Sequence, residues 1–322
     1  MRRPCEHTAS SPVPPLVTRS VEKRSATPRV AILNGFGRTL GDGIIGLQAL
    51  HLAIRIGAVP LRPVLFRLPA LPPLVQSLYQ AANFTEIDTL PPSHAAPDTR
   101  FVGARDFDGV VDIRDFAFDP DFQRTSMVDF FLRRLGVAPQ LVPSCLKRNT
   151  WLAPRVTAQQ AACPKGYVLV CPRSSMPLRN MPDDIHHSIL RQVAAVGPVV
   201  TQGAVPDGLA QKVVHAPTFT SLEQLCALVR DASWVVSTDT GMVHLADAFD
   251  VPCLAFFPTH RPEWRVRDYP RCAAIALASA LPPGLEFARS VDDLAIARDA
   301  WFPRSSDLSW LEQAIEGFQA CL

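Results

Sequence analysis

The chain has 322 residues, 48% of them hydrophobic and 19% charged, which is enough apolar material for about two domains and excludes a wholly disordered chain. Its 32 Lys and Arg against 30 Asp and Glu leave +2, too even a balance for a dedicated nucleic-acid binder. The eight cysteines form no C-x-x-C pair, so no zinc knuckle, redox dithiol or haem attachment is signalled, and buried thiols in a reducing compartment are expected. Residues 1–28 carry a charge of +3 and lack the continuous apolar run of a secretory signal, and they read as a disordered arm. No stretch approaches the ~20 apolar residues of a membrane span.

Order is expected from Arg29. Val30 to Leu33 reads as a strand, Asn34-Gly35-Phe36-Gly37 as a turn, and Ile44, Ile45, Leu47, Leu50 and Leu52 recur at helical spacing. Pro63 to Phe66 predicts a second strand, Leu74 to Ala82 a helix, Gly109 to Ile113 a buried strand and Met127 to Leu135 a helix ended by Gly136. A junction is placed in the Pro- and Ala-containing segment from Trp151 to Lys165. A second series follows: a strand from Gly166 to Val170, a helix from Asp183 to Val196, a strand at Val199 to Thr201, and a helix from Ser221, its N-cap, to Arg230. Then come a strand at Trp234 to Ser237, a helix from Met242 to Phe249, a strand at Cys253 to Phe257, and an amphipathic helix from Leu308 to Phe318. This alternation predicts an α/β protein of two Rossmann-like domains, 29–155 and 156–303, with parallel sheets facing a central cleft and a closing helix in 304–322.

The turn at Gly35 to Gly41 has G-x-G-x-x-x-G spacing, with no acidic residue ~20 positions on to hold a ribose, which argues against NAD. It leaves Asp42 between Gly41 and Gly43 at a helix entrance, either as a helix cap or as a carboxylate presented to a ligand. Asp106-Phe107-Asp108 and Asp119-Pro120-Asp121 have the D-x-D form that can hold a divalent ion, but their turn-rich surroundings read as solvated loop charge. No P-loop or G-x-S-x-G elbow is present. The sharpest constellation is Asp239-Thr240-Gly241-Met242-Val243-His244 directly after a strand. It would place Thr240 and Gly241 at a helix N-terminus suited to a diphosphate, with His244 one turn on, facing either the ligand or the core.

Asp239-Thr240-Gly241-x-x-His244-Leu245-Ala246-x-Ala248, followed by Val251-Pro252, Pro258-Thr259 and Trp264, resembles glycosyltransferase family 9, the bacterial ADP-heptose:lipopolysaccharide heptosyltransferases. Leu40-Gly41-Asp42, Val111-Asp112-Ile113-Arg114, and Pro172-Arg173-Ser174-Ser175 with Arg179-Asn180-Met181-Pro182 are similar to further landmarks of that family, in order along the chain. The family's usual Lys-x-Trp-Pro element has Arg179 for its Lys and Met181 for its Trp, and Gln48 stands where many members have proline.

The resemblance implies a GT-B fold and an inverting, metal-independent transfer, with no cofactor beyond a nucleotide-sugar substrate, ADP-heptose being favoured. It implies Asp42 as general base and Arg179 as the charge that meets the departing diphosphate. Ser174, Ser175, Asp239, Thr240, Gly241 and His244 would hold the donor, and Gly41, Arg62 and Arg67 the acceptor. The expected acceptor is a glycan or glycolipid such as lipopolysaccharide core. The expected setting is the cytoplasm, with peripheral contact at the inner membrane through the basic N-terminal half. Competing readings are a non-catalytic nucleotide-sugar-binding or scaffold protein, a transferase with another donor or a protein acceptor, and a sugar-nucleotide epimerase.

Overall fold

The apolar run Val30–Leu33 forms β1, fully buried, and the chain then reverses through four consecutive residues of positive φ, Asn34, Gly35, Phe36 and Gly37. Gly35 is needed there because a Cβ would stand 2.8 Å from the Arg67 Cα on the neighbouring strand. Phe36 holds its left-handed backbone because its ring is fully buried, edge-on to Phe131 at 5.0 Å and pressed against the face of α1 (Leu40–Arg55) at Gly46. Residues 28–156, 163, 165–277, 290–302 and 307–322 are described in this computed structural model. Most of the basic arm, part of the predicted junction and the start of the predicted closing segment lie outside these residues.

The N-terminal half continues with β2 (Val64–Arg67), α2 (Pro73–Ala81), β3 (Glu86–Thr89), β4 (Gly109–Asp112) and α3 (Met127–Arg134). Its sheet has the order β3-β2-β1-β4, all parallel, with Ile32 opposite Leu65 on one side and Val111 on the other. The C-terminal half holds β5 (Tyr167–Cys171), α4 (Asp183–Val193), β6 (Val199–Thr201), β7 (Val213–His215), α5 (Leu222–Arg230) and β8 (Ala232–Thr238). It ends with α6 (Gly241–Ala248), β9 (Cys253–Phe257), β10 (Cys272–Ala276), α7 (Val291–Asp299) and α8 (Ser309–Gln319). The second sheet is β10-β9-β8-β5-β6-β7, again parallel. Ser221 caps α5 as expected, its side chain accepting from the Gln224 N–H.

Two sequence expectations need correction. β4 is an edge strand of intermediate exposure rather than a buried one, so its Val-rich pattern reflects one covered face. β3, β7 and β10 have no counterpart among the expected strands. They are short and lie at the sheet edges, and their mostly exposed or half-exposed residues erase the hydrophobic signal.

The two halves are not separate cores. One apolar cluster runs from Ile32, Ile44, Leu50 and Phe131 through Trp151 to Leu169, Val235 and Leu245. A second cluster lies beneath α4 and α8, and a smaller one around Phe66 and Phe101 backs the first sheet. α1 is buried over most of its circumference because its own sheet covers one side and α6 of the other half covers another. Trp151, in the connecting chain, donates its indole N–H to the Ile44 carbonyl at 3.0 Å and so ties the linker to α1.

Gly46 faces the Phe36 ring so closely that a Cβ would meet Cγ at 2.0 Å. Gly46→Ala is expected to lower stability by about 1–3 kcal/mol through overpacking, read as a lower urea midpoint with an unchanged slope. An unaltered midpoint would show that Phe36 can move without cost.

Candidate active site

In a parallel α/β sheet the ligand crevice forms beyond the carboxyl ends of the strands, where the strand order reverses. In the first sheet that point lies between β1 and β4, and α1 with Asp42 leaves from there. In the second it lies between β5 and β8, the strands that lead into Arg173 to Arg179 and into Asp239 to Gly241.

The helices that leave these two points meet. A Cβ on Gly41 would stand 3.0 Å from His244 Cδ2 and 3.8 Å from the Gly241 Cα, and a Cβ on Gly241 would stand 3.2 Å from the Leu40 Cβ. Both glycines are therefore contact points between α1 and α6, and Gly41 has this packing role.

Thr39, not Asp42, caps α1: its hydroxyl accepts the Asp42 N–H at 3.2 Å. The Asp42 carboxyl is thus spared for the cleft. Burial raises its pKa, against the opposing pull of the Thr39 side-chain hydrogen bond and the charges of Arg265, Arg179 and His260. All three cationic or titratable side chains come from the other half of the molecule.

Asp239 has the opposite character. It is 2% exposed, and burial alone would raise its pKa. The hydrogen bond from His260, with the charges of Arg179, His260 and Arg265, instead holds the carboxylate well below its usual range. Its Oδ2 receives His260 Nδ1 at 2.8 Å and the Arg179 guanidinium at 3.3 Å. Arg179 also reaches the Ser175 hydroxyl at 3.5 Å, and its carbonyl accepts from the Thr238 hydroxyl. Its Nε is buried without a hydrogen-bond partner among the described residues. Ser174 shapes the turn: its N–H donates to Asn180 Oδ1 at 2.8 Å and its hydroxyl accepts the Met176 N–H at 3.3 Å. Thr240 is the N-cap residue of α6 and makes no side-chain cap bond, so the helix's first N–H groups remain for an anion.

His244 takes the core position of its two alternatives. It is 4% exposed and its pKa is lowered to about 4, chiefly by burial. Its Nδ1 lies 2.9 Å from the Tyr269 hydroxyl, which also accepts Asn149 Nδ2 at 2.6 Å. The tyrosine proton must then go to His244 Nδ1, leaving the neutral ring its N–H on Nε2, beside Gly41. Asn149 continues the network through its backbone and side-chain N–H groups to Asp247 Oδ2, and Arg148 holds Oδ1 at 2.9 Å. His244 therefore braces the junction of the halves.

The remaining expected residues separate. Arg67 ends β2 at the cleft rim, donating to the Leu68 carbonyl at 3.3 Å. Arg62 precedes β2, which places it at the opposite, amino edge of the parallel sheet, exposed and far from Asp42; it is not part of the site. Asp119 caps the turn at Asp121 and pairs with Arg134 at 3.1 Å, and Asp108 accepts the Arg29 N–H, so the two D-x-D segments serve local structure. Among the described residues there is no cluster of three His, Cys, Asp or Glu placed to hold a metal.

Sequence reasoning missed His260 and Arg265. Both follow β9 in Pro258-Thr259-His260-Arg261-Pro262-Glu263-Trp264-Arg265, and a His and an Arg past the carboxyl end of a strand that adjoins β8 were the available signal. Arg265 spans toward the N-terminal half, its guanidinium 5.5 Å from the Phe122 ring centre.

Two parallel-sheet halves whose order-reversal crevices face one another, an acid on one and basic side chains on the other, form a GT-B fold. The family model "Glycosyltransferase family 9 (heptosyltransferase)" matches residues 152–280 of the chain. Solved structures agree in fold. Escherichia coli heptosyltransferase WaaC with ADP is 14% identical, with a TM-score of 0.51 over 77% of this chain and 90% of that one. E. coli ADP-heptose lipopolysaccharide heptosyltransferase II is 14% identical, with a TM-score of 0.53 over 78% and 91%. TibC, from enterotoxigenic E. coli and solved with ADP-D-β-D-heptose, is 14% identical, with a TM-score of 0.60 over 92% and 77%. No curated protein sequence matches the chain.

His186 and His244 are both buried with pKa lowered to about 4 from the ordinary 6.5. Between these values the unfolded chain binds protons that the folded chain refuses, so stability falls as pH drops, by at most ~1.4 kcal/mol per pH unit for each group. Thermal unfolding from about pH 7 to about pH 5 should show a falling Tm, and His186→Gln should lose less than the wild type over the same range. An equal loss in both would remove His186 from the account.

Proposed function

We propose that the protein transfers a sugar, favoured to be heptose from ADP-heptose, to a hydroxyl of a glycan such as lipopolysaccharide core, with inversion at the anomeric carbon. The observation that carries this reading is the pair of oppositely tuned carboxylates. Asp42, its pKa raised, lies on one half within the field of Arg179, Arg265 and His260 on the other, whereas Asp239 stays ionised among those same groups. The ADP and ADP-heptose found in the structural relatives WaaC and TibC support the choice of donor.

In the proposed reaction Asp42 accepts the proton of an acceptor hydroxyl as that oxygen attacks the anomeric carbon. The bond from that carbon to the diphosphate oxygen breaks, and the electron pair leaves with the nucleoside diphosphate. Arg179 and Arg265, with the α6 N-terminus at Thr240 and Gly241, would meet the charge that grows on the leaving group. A carboxyl whose pKa burial has raised is a better base, once ionised, than an ordinary one. A donor made in the cytoplasm and a lipid-linked acceptor would place the enzyme at the cytoplasmic face of the inner membrane. The charge of +6 carried by the arm and the N-terminal half supports that setting.

Asp42→Asn should reduce transfer by about a thousandfold or more while leaving nucleotide affinity within a few-fold, because the base acts on the acceptor. Turnover with ADP-heptose and calorimetric ADP binding measure the two quantities. Full activity in this variant would remove Asp42 from the chemistry. Arg179→Ala should weaken ADP binding and lower kcat together, since the charge it meets increases in the transition state.

A further inference from the structure

His260 is the ring in the cleft whose hydrogen bonding forces a choice of protonation state. Its Nδ1 lies 2.8 Å from Asp239 Oδ2, and the Thr259 hydroxyl stands at 3.4 Å from the same nitrogen. Asp239 is ionised and can only accept, so Nδ1 carries a proton and donates it. A neutral His260 therefore presents a lone pair at Nε2. That nitrogen has no partner among the described residues and is not among the polar atoms sealed from solvent, in keeping with a side chain that is 13% exposed. A phosphate oxygen is an acceptor too. It can approach Nε2 favourably only if a proton lies between them.

We propose that His260 is a proton-loaded anchor for the donor's diphosphate: binding of a nucleoside diphosphate carries one proton from solvent onto His260 Nε2, and the resulting imidazolium donates to a phosphate oxygen. This rests on the reading of the cleft as a nucleoside-diphosphate-sugar site. Asp239 is the positioning residue, fixing the tautomer and the ring plane through Nδ1. The groups that act on His260 come from every neighbouring segment. They are Arg179 from the loop after β5, Asp239 from the end of β8, Arg265 from its own loop and Asp42 from α1 across the cleft.

Burial and the Arg265 charge outweigh the Asp239 hydrogen bond and lower the His260 pKa, so without a bound anion the ring is neutral near pH 7. A diphosphate reverses that balance by adding negative charge at Nε2. The consequence for catalysis is a charge that arrives with the donor and is absent without it. When the anomeric bond breaks, the imidazolium already faces the departing oxygens, and no proton need leave the ring for the products to balance.

The sign of the linkage is fixed. Binding is strongest below the free-ring pKa, and affinity falls by up to about tenfold per pH unit between that pKa and the higher bound-state pKa, the range in which one proton enters with the ligand and which extends above pH 8. Titration of ADP into the purified chain at about pH 8, where the terminal phosphate is fully ionised, reads the proton directly when performed in Tris and in HEPES, buffers of different ionisation enthalpy. The expected result is uptake of about one proton per ADP by the wild type and by Asp42→Asn, and about none by His260→Gln, whose amide donates without titrating. Nitrogen-15 spectra of ring-labelled wild type should show one histidine Nε2 pass from unprotonated to protonated on adding ADP, a readout that needs no variant. Zero uptake by the wild type, uptake that persists in His260→Gln, or uptake lost in Asp42→Asn alone would each overturn the proposal. Failure of ADP, UDP and GDP all to bind the folded wild type would instead bring down the nucleotide-sugar reading beneath it.

Discussion

The close crossing of α1 and α6 at Gly41 and Gly241 is the constraint on which the rest of the site depends. Each helix starts at the order-reversal point of its own sheet, and the absence of side chains at these two positions lets the helices approach to backbone contact. Asp42 is the next residue after one glycine, and Thr240 immediately precedes the other. The contact therefore sets the separation of the acid and the anion-binding end. It also brings two helix N-termini together, and their partial positive charges repel. Arg179 and Arg265 add to that positive field, and Asp42 and Asp239 offset it only in part. An anionic ligand would relieve the remainder, which is the physical basis for proposing a diphosphate there.

The crossing is held by a buried polar network rather than by apolar contact alone. Asp247 has both oxygens satisfied by Arg148 and Asn149, and Asn149 reaches Tyr269 and, through it, His244. Beside it, Asp129 of α3 takes Lys147 at 2.7 Å and Arg267 at 2.9 Å, so three separate parts of the chain share one carboxylate. Such networks add little net stability over an apolar core, but each member loses its partner if the halves rotate. With one hydrophobic cluster passing through the same region, the angle between the two sheets is tightly specified.

The sequence was most informative where local chemistry and long-range role coincide. The short apolar runs β1, β5, β8 and β9 are central strands, buried on both faces, so their identity was legible without context, and the residues just past three of them gave Asp42, Arg179 and Asp239. Arg62 and Arg67 show the opposite case. Five positions apart in the chain, they stand at opposite edges of the sheet because β2 runs between them at about 3.3 Å per residue. His260 was invisible for a different reason. Its meaning comes from Asp239, 21 positions earlier, and a hydrogen bond across two strand-end loops leaves no periodic trace. His244 was legible as a choice between ligand and core, and the choice turned on Gly41, more than 200 positions away.

Asp42 and Asp239 are the same residue type with the same intrinsic acidity, each beside a helix N-terminus, and each close to the same three basic side chains. Hydrogen bonding separates them. Asp239 receives His260 and Arg179 directly, whereas Asp42 accepts from Thr39 and feels the cations only through space. Direct donors outweigh desolvation at Asp239 and fix it as a permanent anion, whereas desolvation prevails at Asp42 and leaves it able to take a proton. A permanent anion at position 239 also limits what His260 can be, because a ring that must donate through Nδ1 can bind phosphate only as a cation. The family motif at Asp239 to Gly241 thus controls the chemistry of a residue outside it. The charge that the cleft presents to a leaving group is set by a carboxylate that need not touch that group.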